Sequence, residues 1–156
     1  MRELRDSSDI EVPPERVWAW IEGLADNYTS WHPAHVSAEW ERGAPNEVGS
    51  VLRAVEDLGG HREELRFELT AVEPPRRLDY RLLGPISLLL PRGSFTVIPT
   101  TAGSRFVAAI SYRFGRLTEL LFRGRTAALR AHMREEGESL KLILEGERRS
   151  GPCPDA

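Results

Sequence analysis

The 156-residue sequence has only one cysteine, Cys153, which lies close to the C-terminus. A single cysteine excludes an internal disulfide and a metal site built on cysteine pairs. Long hydrophobic runs are also missing: the most apolar stretch covers residues 86–90, whereas a membrane-spanning helix needs about 20 apolar residues. The first residues lack the apolar core of a signal peptide. We therefore expect a cytoplasmic protein that does not insert into a membrane.

The chain has no excess of positive charge. Lys and Arg total 21 against 24 Asp and Glu, which leaves a net charge of −3 at pH 7. A nucleic-acid-binding domain usually carries a cluster of basic residues, and the basic residues here are scattered among acids. The GxSxG nucleophile motif and the glycine-rich phosphate loop are missing as well. We expect no nucleic-acid partner, and any chemistry must come from another arrangement of residues.

The length suits one globular domain. A chain of 156 residues with 40% hydrophobic content can form one core but hardly two. We expect this domain at residues 1–148 and a flexible tail, rich in proline and glycine, at residues 149–156. A monomer and a homodimer are both compatible with the sequence.

Hydrophobic spacing and turn residues predict the order of the elements. A strand at residues 4–12 is followed by a helix that begins at Pro13–Pro14 and ends near residues 23–25, then by a short helix or turn at residues 27–31. β-branched and aromatic residues separated by Gly, Pro and Asn predict further strands at residues 36–41, 48–58, 63–72, 77–83, 94–98 and 106–114. Helical spacing returns at residues 117–147.

Tight turns between neighbouring strands favour an antiparallel meander. The expected fold class is α+β. A curved antiparallel sheet of six to seven strands wraps round the long C-terminal helix, and two short helices follow the first strand. Such a sheet leaves an internal cavity beside the helix, which is a usual place for a small-molecule site.

His132 and Glu136 are four residues apart, so on a helix they lie on one face about one turn apart. Leu129 and Leu140 lie around the same face, which indicates that it points inward. A buried carboxylate needs a partner, and a divalent metal, a catalytic role or an ion pair with an arginine would each supply one. Glu135 lies about a third of a turn round the helix and is expected to be solvated.

The segment at residues 31–35, WHPAH, contains two more histidines. Histidine is the commonest neutral metal ligand at physiological pH, so His35 is a candidate ligand if this turn faces the cavity. The alternative is a surface loop with two solvated imidazoles. The sequence assigns no role to His32 or to His61.

The strand at residues 48–58 offers a carboxylate. Alternation places Glu56 on the same face as Leu52 and Ala54, which is the more apolar face. Glu63 and Glu64 on the next strand are the rivals, although Glu63 is close to a turn and Glu64 lies on the polar face. Together His35, Glu56, His132 and Glu136 predict a metal site with two nitrogen and two oxygen ligands. Such ligands suit zinc best, with manganese and iron as alternatives.

Two segments carry a resemblance to a known superfamily. Residues 10–21, IEVPPERVWAWI, resemble the first strand and helix of the START-like, helix-grip superfamily, also called SRPBCC or polyketide cyclase/dehydrase-like, and residues 72–78, VEPPRRL, resemble a turn between its central strands. The resemblance covers roughly residues 4–147 and implies the helix-grip fold. The superfamily includes lipid carriers, cyclases, hormone receptors and hydrolases, so the fold alone does not imply one function.

A narrower resemblance concerns the candidate metal ligands. His35, a strand glutamate and the helical His132-x-x-x-Glu136 pair resemble the metal site of the diacetylphloroglucinol/phloretin hydrolase family. Members of that family hold zinc with two His and two Glu and cleave the bond between an acyl group and a phenolic ring. The resemblance implies a zinc-dependent hydrolase of a small aromatic or polyketide-like ketone.

Aromatic residues supply candidate walls for the cavity and candidate contacts with its hydrophobic or aromatic ligand: Trp31, Trp40, Tyr80, Phe95 and Tyr112. Tyr112 is also a candidate proton donor, and Glu136 is a candidate catalytic carboxylate. Two alternatives to zinc hydrolysis stay open. One is a non-catalytic carrier or sensor of a hydrophobic molecule, and the other is a metal-free cyclase or dehydratase with His132 as general base. Residues 117–122, LTELLF, are expected to pack over the cavity mouth, with contact to a membrane surface as the alternative.

Overall fold

The computed structural model describes residues 1–58, 60–113, 115, 120 and 123–150. The strands are β1 (Arg2–Ile10), β2 (His35–Arg42), β3 (Val51–Leu58), β4 (His61–Glu73), β5 (Arg77–Leu82), β6 (Arg92–Thr100) and β7 (Gly103–Tyr112). The α-helices are α1 (Pro14–Glu22), α2 (Leu24–Trp31) and α3 (Arg123–Ser150), and a 3₁₀ helix spans Pro85–Leu88.

All seven strands form one antiparallel sheet in the order β1-β7-β6-β5-β4-β3-β2. Strands β2 to β7 follow one another as a meander, as the tight turns predicted. Strand β1 pairs with β7 at the far end of the sheet, with Leu4 opposite Ile110, because α1 and α2 separate it from β2 in the chain. The predicted α+β helix-grip architecture is confirmed.

Local sequence explains the two short helices. Pro14 is the first residue of α1, where its missing N–H is not needed. Glu15 follows in the first turn, where the positive end of the helix dipole stabilises its carboxylate. Gly23 ends α1 and directly precedes α2, which therefore begins three residues earlier than predicted. Helix α2 ends at Trp31, and the backbone of the next residue, His32, is extended, as the following proline favours.

Helix α3 buries one face against the sheet. Leu140 and Leu144 are almost completely buried, and they join side chains of β1, α1 and the central strands in one core. Gly137 allows the helix to approach β1 closely, because a Cβ there would collide with the hydroxyl of Ser8.

Several boundaries differ from the predictions. Strand β3 begins at Val51 instead of residue 48, because Gly43, Asn46 and Gly49 adopt positive φ angles in the preceding turn. The 3₁₀ helix at Pro85–Leu88 was not predicted. Residues 117–119 and 121–122 of the predicted mouth segment, residue 114 at the predicted strand end, and residues 151–156 of the predicted tail lie outside the described residues. None of the helices in the described part of the chain combines the length and apolarity needed to cross a membrane.

Candidate functional site

A cavity of about 130 Å³, here called the inner chamber, lies between the sheet and α3. Its wall is mainly apolar and includes Leu52, Leu78, Leu129 and Met133. Four of the five predicted aromatic wall residues line it: Trp31, Trp40, Tyr80 and Phe95. The chamber is therefore suited to a small, largely apolar molecule.

Three ionisable side chains that interact with one another enter this apolar wall: Glu56, His132 and Glu136. Glu56 arrives from β3 by strand alternation, and it is buried although its sheet neighbours Val55 and Asp57 are partly exposed. His132 and Glu136 come from successive turns of α3 and meet with Nε2 and Oε1 3.3 Å apart. Both faces predicted from the sequence point into the chamber.

His35 completes the cluster from behind the wall. It is the first residue of β2, and its side chain is 0% exposed. Its Nε2 lies 3.0 Å from Oε1 of Glu136 and 3.9 Å from Oε1 of Glu56. The fold thus brings together all four residues that the sequence predicted as metal ligands.

The hydrogen bonding of His35 determines which of its nitrogens carries a proton. Nδ1 lies 2.9 Å from the carbonyl oxygen of Tyr28, and a carbonyl only accepts, so Nδ1 must donate. In the neutral ring, Nε2 then presents a lone pair towards the carboxylates. Among the described residues, neither this Nε2 nor Nδ1 of His132 has a hydrogen-bond partner. A lone pair facing carboxylates is repelled unless a proton or another cation lies between them.

The charges of His132 and Glu136 favour each other. Burial opposes the charged form of the His132 imidazole, but the hydrogen bond and charge of Glu136 outweigh it, and the pKa of His132 is raised. Burial likewise opposes the Glu136 carboxylate, but the close His132 and His35 imidazoles outweigh it and lower the pKa of Glu136. The pair therefore holds its proton on the histidine side.

Tyr28 is a site residue that the sequence reasoning missed. Its hydroxyl donates a hydrogen bond to Oε1 of Glu56, and its ring stacks on His35 with centroids 3.9 Å apart. Burial and the neighbouring Glu56 raise the pKa of Tyr28, so the phenol keeps its proton and acts as a donor. The available clue was a tyrosine on the buried face of α2, since a buried hydroxyl usually needs a partner.

His32 lies next to the cluster but uses both of its nitrogens. Nδ1 accepts a hydrogen bond of 3.0 Å from the backbone N–H of Ala34, so Nε2 donates to Oε2 of Glu135 at 2.7 Å. One nitrogen of His32 lies within 4.8 Å of nitrogens of His35 and His132, but a metal could use His32 only after its contact with Ala34 or with Glu135 is broken. Glu135 is 59% exposed, as predicted, yet it is paired with His32 rather than simply solvated.

The remaining candidates are not part of this cluster. Glu64 is on the outer face, 2.5 Å from Arg53, as the polar face predicted. Glu63 is exposed, although it pairs with Glu56 in the sheet register and borders the inner chamber. Tyr112 does not border the inner chamber. It lines an adjoining outer chamber of about 340 Å³ together with His61, so the structure does not place it beside Glu136.

The donor set fits a divalent metal. Two imidazoles and two carboxylates converge on one side of the chamber, and Nε2 of His35 is buried without a partner among the described residues. Nitrogen and carboxylate ligands in this number are those of a zinc site, and the Tyr28 carbonyl fixes the ring of His35 as outer hydrogen bonds commonly do. With a proton in place of the metal, the same groups form an acid–base cluster.

Comparisons with known proteins agree with this fold. The protein TTHA0849 from Thermus thermophilus superposes with a TM-score of 0.75 at 17% identity, covering 94% of this chain and 99% of that one. The aromatase/cyclase BexL, a di-domain protein from the BE-7585A biosynthetic pathway, superposes with a TM-score of 0.70 at 14% identity, covering 90% of this chain and 48% of that one. The protein Ms6760 from Mycobacterium smegmatis gives a TM-score of 0.69 at 16% identity and covers 93% and 92%.

These likenesses establish the fold, and the sequence establishes the family. No curated protein matches the chain. A family model described as polyketide cyclase/dehydrase and lipid transport matches residues 1–145. The chain belongs to the polyketide cyclase/dehydrase and lipid transport family.

Proposed function

We propose that this protein binds a small aromatic or polyketide-like ketone in the inner chamber and catalyses a reaction at its carbonyl end. One observation carries the proposal: an apolar chamber contains an interacting group of His132, Glu136 and Glu56, with His35 behind them. The apolar wall binds the body of the ligand, and the polar group orients its carbonyl. The family to which the chain belongs supports a small-molecule substrate.

Acid–base chemistry of the cyclase or dehydratase kind is the first candidate. Because the pKa of His132 is raised and that of Glu136 is lowered, His132 is the proton donor to the carbonyl oxygen. A carboxylate is then the base that takes a proton from the carbon next to the carbonyl. This reverses the role of His132 expected from the sequence, where it was the base.

Zinc-dependent hydrolysis is the second candidate, and the orientation of His35 favours it. His35 directs an unpartnered Nε2 at two carboxylates, which is the arrangement of a metal ligand. His35, Glu56, His132 and Glu136 would hold the ion, with zinc preferred over manganese and iron. Bound zinc polarises a carbonyl and lowers the pKa of bound water towards about 7. The residues of the chain would then orient the ketone against the apolar wall and keep bulk water out.

The test combines metal analysis with one probe. Protein purified without a histidine tag is analysed for zinc, manganese and iron, and is incubated with 2,4,6-trihydroxyacetophenone in D₂O under proton NMR. Exchange of the methyl protons that survives chelation supports acid–base catalysis. Cleavage to acetate and the phenol that stops on chelation supports the zinc hydrolase. Binding without either reaction leaves the carrier or sensor and overturns the proposed catalysis.

Variants assign the reaction to the cluster. His132→Ala and Glu136→Ala should abolish turnover and, for the zinc hydrolase, metal content. Glu135→Gln is the matched control because Glu135 is exposed on the adjacent position of the same helix, and its turnover should stay within about twofold. Full metal occupancy and full turnover in the alanine variants would refute the site.

A further inference from the structure

The cavity does not end at the inner chamber. The outer chamber, of about 340 Å³, shares five wall residues with it: Leu58, Glu63, Ile86, Leu90 and Leu129. Its other wall residues include Leu4, Leu89 and Ala128. The two chambers therefore adjoin, and mostly apolar side chains form the boundary between them.

The sizes of the chambers restrict the ligand. A cavity of about 150 Å³ holds one benzene molecule, so the inner chamber of about 130 Å³ accepts about one ring. The outer chamber is more than twice as large. A ligand with its carbonyl at the cluster can therefore be longer than one ring only if the remainder lies in the outer chamber.

Helix α3 provides the scale of the combined site. Glu136, Met133 and His132 line the inner chamber, Leu129 lines both, and Arg125 lines the outer one. Glu136 and Arg125 are eleven positions apart, which is about 16 Å along a helix. The wall around the far end also includes exposed His61, so a polar group at that end of a ligand would meet polar side chains and water.

We propose that the ligand is an elongated two-part molecule: a ring-sized ketone occupies the inner chamber and a second apolar segment, about one more ring in length, occupies the outer chamber. This inference rests on the proposed function, because the cluster defines which end of the molecule enters first. Residues Leu89 and Ala128 then act in specificity, since they touch only the second segment.

Two probes that differ only in length test this inference. Acetophenone and 4-acetylbiphenyl are titrated calorimetrically into the wild-type protein. Burial of the additional ring should make 4-acetylbiphenyl bind at least about tenfold more tightly. Ala128→Trp, which fills the outer chamber, should remove this advantage while it leaves acetophenone binding unchanged. Ala131→Trp is the matched control, because Ala131 is also exposed on α3 but lies outside both chambers.

The outcomes separate this inference from the proposed function. If the wild-type protein binds both probes equally, or if Ala128→Trp keeps the full advantage of the longer one, the two-part site is refuted while the ketone site in the inner chamber stands. If the wild-type protein binds neither probe, both proposals are refuted. The length dependence in the wild-type protein needs no variant, so it tests the inference even if a tryptophan variant folds poorly.

Discussion

Replacement of Glu136 by glutamine should reduce stability in a narrow range of pH. The pKa of Glu136 is lowered from its ordinary value of 4.5. Its contribution to folding stability is therefore complete above pH 4.5 and is lost as the pH falls through the lowered pKa. The pKa of His132 is raised from its ordinary value of 6.5. Its contribution to folding stability is therefore complete below pH 6.5 and is lost as the pH rises through the raised pKa. Both contributions are complete between 4.5 and 6.5.

The size of the effect follows from what glutamine retains. Glutamine has nearly the same shape and keeps one oxygen facing His132 and His35, but it loses the charge. Hydrogen bonds to charged groups are stronger than neutral ones by about 1–2 kcal/mol, and the 3.0 and 3.3 Å contacts share one buried oxygen. We expect a loss of about 2 kcal/mol at about pH 5.5, which for a chain of this size lowers Tm by about 4–8 °C.

Thermal unfolding followed by circular dichroism, with a chelator present, measures this difference. The loss should shrink as the pH is raised to about 9, because a neutral His132 no longer favours the negative charge of Glu136. Glu135→Gln should change stability by less than about 1 kcal/mol at either pH, since Glu135 is mostly exposed. An equal loss at both pH values, or no loss at about pH 5.5, would refute the ion-pair reasoning.

Five further substitutions, two of them controls, test the packing of the protein by urea unfolding. Tyr28→Phe keeps the ring stacked on His35 but removes the hydroxyl that donates to Glu56. It should lower the free energy of unfolding by about 1–3 kcal/mol. A loss below about 0.5 kcal/mol would contradict that hydrogen bond. Gly93→Ala places a Cβ against the ring of Tyr80 and 2.9 Å from the carbonyl oxygen of Ala109. It should lower the free energy of unfolding by about 1–3 kcal/mol. Gly146→Ala is the control, because a Cβ there meets open space; it should be neutral or stabilise α3 by up to about 1 kcal/mol. Equal effects of Gly93→Ala and Gly146→Ala would refute the close packing at Gly93. Leu140→Ala, at a 0% exposed position, should cost about 2–5 kcal/mol, whereas Leu142→Ala, at 72% exposure, should change stability by less than about 0.5 kcal/mol.

Local periodicity was sufficient to predict most of the helices and strands and two parts of the site, Glu56 and the His132–Glu136 pair. Strand alternation placed Glu56 on the inner face, and the four-residue spacing placed His132 with Glu136, because both patterns depend only on backbone geometry. The same reasoning identified Glu64 as an outer-face residue, where it contacts Arg53. Element boundaries were less accurate where turn conformations such as those of Gly43 and Gly49 set the start of a strand.

Contacts between segments that are distant in the sequence could not be predicted from local periodicity. Tyr28 and Glu56 are 28 residues apart, and His32 and Glu135 are 103 apart, so no periodicity relates them. Tyr112 was expected in the cavity wall with the other aromatic residues, but its position on β7 places it in the wall of the outer chamber and not of the inner one. A residue type suggests a role, whereas the register of its strand determines which chamber it borders.

The sequence by itself determined the order of strands and helices, the family and the inward faces of β3 and α3, because hydrophobic spacing and turn residues act within a few positions of the chain. Only the tertiary structure decided that His35 directs an unpartnered nitrogen at Glu136 and Glu56. That arrangement depends on the Tyr28 carbonyl, on the start of β2 and on the position of Glu136 on α3. The physical reason is that burial and proton positions depend on which segments pack together, and packing over long sequence separations leaves no local pattern.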